Sequence, residues 1–407
     1  MGVPRNRRTL GAVALVASLA LSGTPLTAAE SVPLDKLERV HDLSVDPLDG
    51  ARLLLATHAG VFLAGRDGLA ERISDAGLDL TSLVPHPTEP ERMFASGRLP
   101  DGGGSGVLVS DDAGRTWRRV SGIVEEPGEF RLLIVSRVDP EVMFGARKGT
   151  LRASRDGGRS WTEPADLPTD VFGLTASATD ARTLYAATRG GLFASTDAGR
   201  SWQPANPSPQ PMTTVHVTAG GRLYVFVYGD GLYAADERDL ELSKLSGGYF
   251  DRALFRLKSD SREPDRLYAI ADTGTVMTSE NAGRSWTTFE GSHLLGAVAE
   301  GKKLYETNCQ ECHGVRAVGE RPDDMYAKDE FGYVAPPLDD SAHGWHHTDR
   351  DLVERIMTGS PRNERMVAFK ETLTREQAAK IVAYIKSLWN FRSLACQGPQ
   401  HMKCMKR

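Results

Sequence analysis

An excess of charge of either sign is missing from this chain. Its 407 residues carry 49 lysines and arginines against 54 aspartates and glutamates, a formal net charge of only −5. No basic surplus marks a nucleic-acid partner. Cysteine is scarce as well. Four residues exclude a small disulfide-built scaffold. Beyond position 30 no apolar run approaches the roughly 20 residues that a membrane span needs, so no transmembrane segment is expected in the mature chain.

The one pronounced apolar run lies at the start. Arg5, Arg7 and Arg8 precede Leu10 to Leu21, and Thr27-Ala28-Ala29 supplies small residues before Glu30. That order predicts a signal peptide over residues 1–29, removed on export to the periplasm or beyond. No cysteine follows the cleavage point, so a lipid anchor is not expected.

Residues 34–290 repeat. An extended run, a glycine and a second extended run recur at Gly60, Gly106, Gly149, Gly191, Gly231 and Gly274. With a preceding strand in each unit, a period of about 40–46 residues and about four strands predict a β-propeller. Six units imply six blades.

Four units carry S-x-D-x-G-x-[ST]-W, at Ser110 to Trp117, Ser154 to Trp161, Ser195 to Trp202 and Ser279 to Trp286, with Asn281 replacing Asp in the last. In the other two, Arg66-Asp67-Gly68 and Asp236-Glu237-Arg238 stand at that place. The motif reads as a hairpin turn. The Asp accepts backbone N–H bonds, the Gly takes a positive φ, and the Trp packs between blades. It resembles the Asp-box of bacterial neuraminidase-type (BNR) and sortilin-like propellers. A further likeness is to the propellers of photosystem assembly factors and of glycosylhydrolase-like secreted proteins. The sialidase arginine cluster and Tyr/Glu pair are not recognisable here, so the boxes are read as structural turns. Channel-facing residues depend on a register that sequence does not supply. No catalytic residue and no propeller ligand is therefore assigned.

From about Gly296 the hydrophobic period becomes helical. Gly301, Leu304 and Tyr305 lead into Cys309-Gln310-Glu311-Cys312-His313. C-x-x-C-H predicts covalent attachment of one haem c, with thioethers at Cys309 and Cys312 and His313 as proximal iron ligand. Zinc and thioredoxin-like readings are weaker, the latter for want of a βαβ context. Two more helices are expected, Thr348 to Met357 with a Thr348/Asp351 capping box and a stop at Gly359, and Arg375 to Trp389 capped by Thr374 and Gln377.

Residues 296–392 resemble a class I cytochrome c, which implies an all-α domain behind the all-β propeller in a multi-domain chain. The resemblance pairs Gly301 and Tyr305 with Ile381 and Tyr384 where the first and last helices cross. It gives the Pro336 carbonyl, in Ala335-Pro336-Pro337-Leu338, to the Nδ1–H of His313. It makes Met366, in Met366-Val367-Ala368-Phe369, the distal iron ligand. Met357 and Met325 are weaker rivals. In His343-Gly344-Trp345-His346-His347 a second metal site competes with a haem-edge loop in which Trp345 contacts a propionate. The latter is favoured. In the tail, residues 393–407, Cys396 and Cys404 read as a disulfide. Copper(I) binding by the Cys/Met/His set is the alternative.

The functional expectation is single-electron transfer to or from a periplasmic or membrane redox partner, with the propeller as docking or ligand-binding module. The alternatives are a propeller-based oxidoreductase or glycosidase-like enzyme that uses the haem as electron acceptor, and an assembly factor for a respiratory complex.

Overall fold

The computed structural model describes residues 1–2, 31–37, 40–101, 106–120, 129–162, 165–168, 170–247, 253–289, 295–324, 326–390, 393–394, 396–398 and 402. The expected signal peptide, Met325 and Cys404 lie outside the described residues.

Among those residues, six antiparallel sheets of consecutive strands form six propeller blades. The innermost strands are Val40–Val45, Asp79–Pro85, Leu132–Val135, Val171–Ala176, Met212–Val217 and Leu254–Ser259. The second and third strands of each blade are the two extended runs of the repeat, for example Leu184–Thr188 paired with Gly191–Ser195. Strands such as Leu184–Thr188 and Gly106–Ser110 are buried on both faces, which explains why they read as continuous apolar runs rather than alternations. Ser31–Pro33 lies just ahead of position 34 and adds a fifth strand to the outer edge of blade one.

Each blade keeps its own four strands, so strand exchange does not close the ring. Side chains join blade six to blade one instead. Tyr268 donates its hydroxyl to the Gly50 carbonyl at 2.8 Å, Arg256 donates to the His41 carbonyl at 3.0 Å, and Arg66 pairs with Glu280. Burial alone would raise the Glu280 carboxyl, but hydrogen bonds from Arg266 and Arg66 hold it below its ordinary value. An apolar cluster of Leu43, Leu55, Phe62, Tyr268 and Phe289 fills the same seam.

The four boxes behave as turns. In the first, Asp112 Oδ1 accepts from the backbone N–H of Arg115 and Thr116 at 3.1 and 2.9 Å. Ser110 Oγ accepts from Gly114 N at 2.9 Å. Trp117, Trp161 and Trp202 each join an apolar cluster spanning two adjacent blades. Two consecutive residues, not the glycine alone, take left-handed conformations, and the first is alanine at Ala113, Ala198 and Ala282. In blade five Glu237 stands in for the box. It is buried and accepts from the Ala178 N–H of blade four.

After the last strand, α1 (Leu295–Asn308) runs into α2 (Gln310–His313), followed by α3 (Asp349–Thr358) and α4 (Arg375–Ser387). Both expected capping boxes are present, Thr348 with Asp351 and Thr374 with Gln377. The last helix ends at Ser387, ahead of Trp389, with Leu388 as its cap. No helix among the described residues is long and apolar enough to cross a membrane.

The two parts share a core. One apolar cluster joins Leu267, Met277 and Trp286 of blade six to Tyr305, Ile381 and Trp389 of the helical part.

Candidate haem site

The helix crossing that presents the C-x-x-C-H motif depends on Gly301. A Cβ there would stand 1.8 Å from the Lys380 carbonyl oxygen, so α1 and α4 meet backbone to backbone. One turn on, the rings of Tyr305 and Tyr384 pack 5.1 Å apart. The Tyr305 hydroxyl then donates to the Gly314 carbonyl at 2.8 Å, immediately behind the motif. Burial pushes this phenol well above its ordinary range.

His313 is buried, and its Nδ1 lies 3.0 Å from the Pro336 carbonyl. A carbonyl only accepts, so Nδ1 carries the proton and Nε2 keeps its lone pair. Burial lowers the imidazole pKa, against a smaller opposing effect of that hydrogen bond. The proline loop is clamped to the segment after the motif. Leu338 N donates to Ala317 O at 2.7 Å and Glu320 N to Ala335 O at 2.9 Å. Gly319 permits this, since a Cβ would meet Pro337 N at 2.5 Å. Arg316 and Ala317 both take left-handed conformations in between, a local strain that these bonds hold in place. Trp389 Nε1 anchors the far end of the loop on Leu338 O at 2.7 Å.

Neither Cys309 nor Cys312 is in a disulfide, and they differ in exposure, the first half-buried and the second open to solvent. Burial raises the Cys309 thiol pKa to about 11. Two reduced thiols one helical turn apart, followed by a histidine with a free Nε2, are a donor set that fits a c-type haem. Exposed Val315, Val318 and Val367 supply apolar surface on the segments around it.

Met366 is half-buried on the turn after α3. Its backbone is held by Ser360 N to Met366 O at 3.0 Å and Met366 N to Asn363 O at 3.2 Å. Arg365 fastens this turn to the segment behind the motif through Glu320 at 2.6 Å and Asp329 at 3.0 Å. The Arg365 hydrogen bond holds the Glu320 carboxyl below its ordinary value. Met357 is buried in the apolar core, as the packing reading of α3 expects. Trp345 is half-buried against the same core, its ring 4.2 Å from that of His346. Among the described residues no set of three or more His, Cys, Asp or Glu side chains converges as a metal cluster.

Sequence reasoning missed the join between the two parts. Lys386 is fully buried on α4. Its ammonium donates to Asp349 at 2.6 and 2.8 Å and to Thr288 of the last propeller strand at 2.7 Å. Gln397 from the tail completes the group, bonding Asp349 at 2.6 Å and Thr288 at 3.1 Å. Its neighbour Cys396 is buried and disulfide-bonded. The only sequence signal was a lysine on the apolar stripe of α4.

The propeller channel forms a cavity of about 290 Å³ lined by all six inner strands. Its two carboxylates are already engaged. Asp42 accepts from Ser82 and Leu83 N and faces Arg256 at 3.7 Å. Asp46 pairs with Arg52 at 2.9 Å.

Residues 296–385 match the family model described as cytochrome C oxidase, cbb3-type, subunit III. Residues 101–299 match the model described as photosynthesis system II assembly factor YCF48. Among solved structures, the GH74 xyloglucanase from Xanthomonas campestris aligns at 17% identity and a TM-score of 0.45, covering 61% of this chain and 45% of that one. YCF48 bound to D1 peptide aligns at 17% identity and a TM-score of 0.43, covering 66% and 85%. YCF48 from Cyanidioschyzon merolae aligns at 17% identity and a TM-score of 0.40, covering 64% and 88%. The chain thus spans less than half the length of the xyloglucanase. No curated protein matches it. Its blades and its helical part together make this chain a six-bladed BNR-type propeller followed by a C-terminal cytochrome c domain.

Proposed function

We propose that this protein is an exported c-type cytochrome that passes single electrons through one haem c. Cys309 and Cys312 would hold the haem by thioethers, and His313 and Met366 would ligate its iron. The observation that carries this reading is the 3.0 Å contact between His313 Nδ1 and the Pro336 carbonyl. It fixes the tautomer that offers Nε2 to a metal and orients the ring. When bound, the haem supplies a one-electron iron couple whose potential a thioether ligand raises. The chain's own residues set its surroundings. Pro336 holds the proximal imidazole, the Arg365–Glu320 pair tethers the turn bearing Met366, and Trp345 would contact a propionate.

The partner is a periplasmic or membrane redox protein, with the propeller as its docking or ligand-binding module. Export is supported by the leader-like residues 1–29 and by Cys396, whose disulfide suits an oxidising compartment. Cys404 is the partner we propose for it.

A second reading has one observation in its favour. The match of residues 101–299 to an assembly-factor model supports a scaffold role in building a respiratory complex. Recovery of a membrane oxidase subunit with the tagged, haem-loaded chain would support it. A glycosidase-like activity has less support, because such chemistry uses two free carboxyl groups and both channel carboxylates serve structural bonds.

The test is the visible spectrum of the mature holoprotein, oxidised and reduced, for wild type and Met366→Ala. A c-type reduced spectrum, with a far-red sulfur-to-iron band in the oxidised wild type that the variant loses, is expected. Absence of that band in the wild type, or a shift when carbon monoxide meets its reduced form, would overturn methionine ligation and bring an enzyme or sensor role forward.

A further inference from the structure

The propeller channel holds positive charge that its own side chains do not balance. Arg137, just past the inner strand of blade three, and Lys258, on the inner strand of blade six, both line the cavity. The two carboxylates of the same lining have other partners, Asp42 in Arg256 and Asp46 in Arg52. No ion pair among the described residues includes Arg137 or Lys258.

The two cations line one cavity together with His216. His216, on the inner strand of blade five, is buried and bonded through Nε2 to Ser259 Oγ at 2.8 Å. Burial first, and then the charges of Arg137 and Lys258, hold its pKa well below 6.5. The imidazole is therefore neutral, and both cations lie within electrostatic reach of this one ring. Arg137 is exposed to solvent, yet the surrounding protein partly desolvates its guanidinium and lowers its pKa. Like charges brought together in a partly desolvated site repel, and an anion between them reverses the sign of that interaction.

We propose that the channel binds one compact oxyanion, a phosphate or a short carboxylate, held by Arg137 of blade three and Lys258 of blade six. A guanidinium matches the paired oxygens of either group, and an ammonium adds a point charge. Ser44 and Ser261 line the same cavity and supply hydroxyl donors. The size of the cavity, about 290 Å³, sits at the lower edge of small-molecule pockets and favours a ligand of few heavy atoms over a glycan chain. This site is independent of the haem and does not rest on the electron-transfer reading.

The test is isothermal titration of the full haem-loaded protein, in a chloride-poor sulfonate buffer, with sodium phosphate and separately with sodium malonate. The wild type is expected to bind at least one of them at a single site. Arg137→Gln and Lys258→Gln should each weaken binding by at least about ten-fold, and the double variant should abolish it. Arg189→Gln, an exposed surface change, should bind as wild type does. Heat from phosphate alone, from malonate alone or from both identifies the ligand class. Circular dichroism and the haem spectrum report whether each variant is folded. Failure of both anions to bind in the millimolar range, or binding that a folded double variant retains, overturns the proposal.

Discussion

Lys386 Nζ, on the last helix of the cytochrome domain, donates at 2.7 Å to Thr288 Oγ1, on the last strand of the propeller. The same ammonium is chelated by both oxygens of Asp349, so its three N–H groups are all used inside the seam. Removing one partner of such a buried pair strands the other charge. Lys386→Met should therefore destabilise the protein by about 3–5 kcal/mol. The shared apolar core predicts one unfolding transition in the wild type by tryptophan fluorescence and by haem absorbance alike. In Lys386→Met the two signals should separate. Coincident transitions with unchanged midpoint would show that the pair contributes nothing to the join.

At the helix crossing, Gly301→Val puts three carbons where the Lys380 carbonyl stands. The helices must move apart, at a cost of about 1–3 kcal/mol or more. The expected result is a lower yield of haem-loaded protein and a lowered thermal midpoint in what remains. Wild-type stability in this variant would mean that the crossing is looser than its geometry implies.

The box carboxylates make a pH prediction. Asp197 is held at about 2 by hydrogen bonds from Ser201, and Asp156 reaches about 2 because its hydrogen bonds from Ser160 and Ser154 outweigh burial. Their ordinary value is 3.8. A depressed folded-state pKa contributes stability above the unfolded value that is lost as the pH falls through the folded one. Urea unfolding should thus show a fall in stability between about pH 4 and pH 2. Asp156→Asn with Asp197→Asn should flatten that fall while keeping the turns, since Asn281 already makes the same backbone contact in blade six. An unaltered profile in the double variant would locate the acid sensitivity elsewhere.

Arg365 tests the tether of the methionine turn. Arg365→Ala removes its bonds to Glu320 and Asp329 but leaves the C-x-x-C-H motif untouched. Haem attachment should persist, the far-red band should weaken, and carbon monoxide should bind the reduced form faster than in wild type. A variant indistinguishable from wild type in all three would show that the turn is held by its backbone bonds alone.

What the sequence determined by itself was local. The blades were legible because each strand pair is closed by its own turn, and in four of the six the Asp-box writes the next turn in eight consecutive residues. Both capping boxes were legible for the same reason, since Thr348 reaches Asp351 and Thr374 reaches Gln377 within a single helical turn. The pairing of Tyr305 with Tyr384 and of His313 with Pro336 is long-range, and a family resemblance, not periodicity, pointed to it. Tertiary structure alone decided the rest. Thr288, Asp349, Lys386 and Gln397 come from four separate segments, and nothing in the neighbourhood of any one of them announces the others. The channel is of the same kind. Strand register decides which of two alternating faces points inward, so the cavity that Arg137, His216 and Lys258 of three blades line together exists only once the ring has closed.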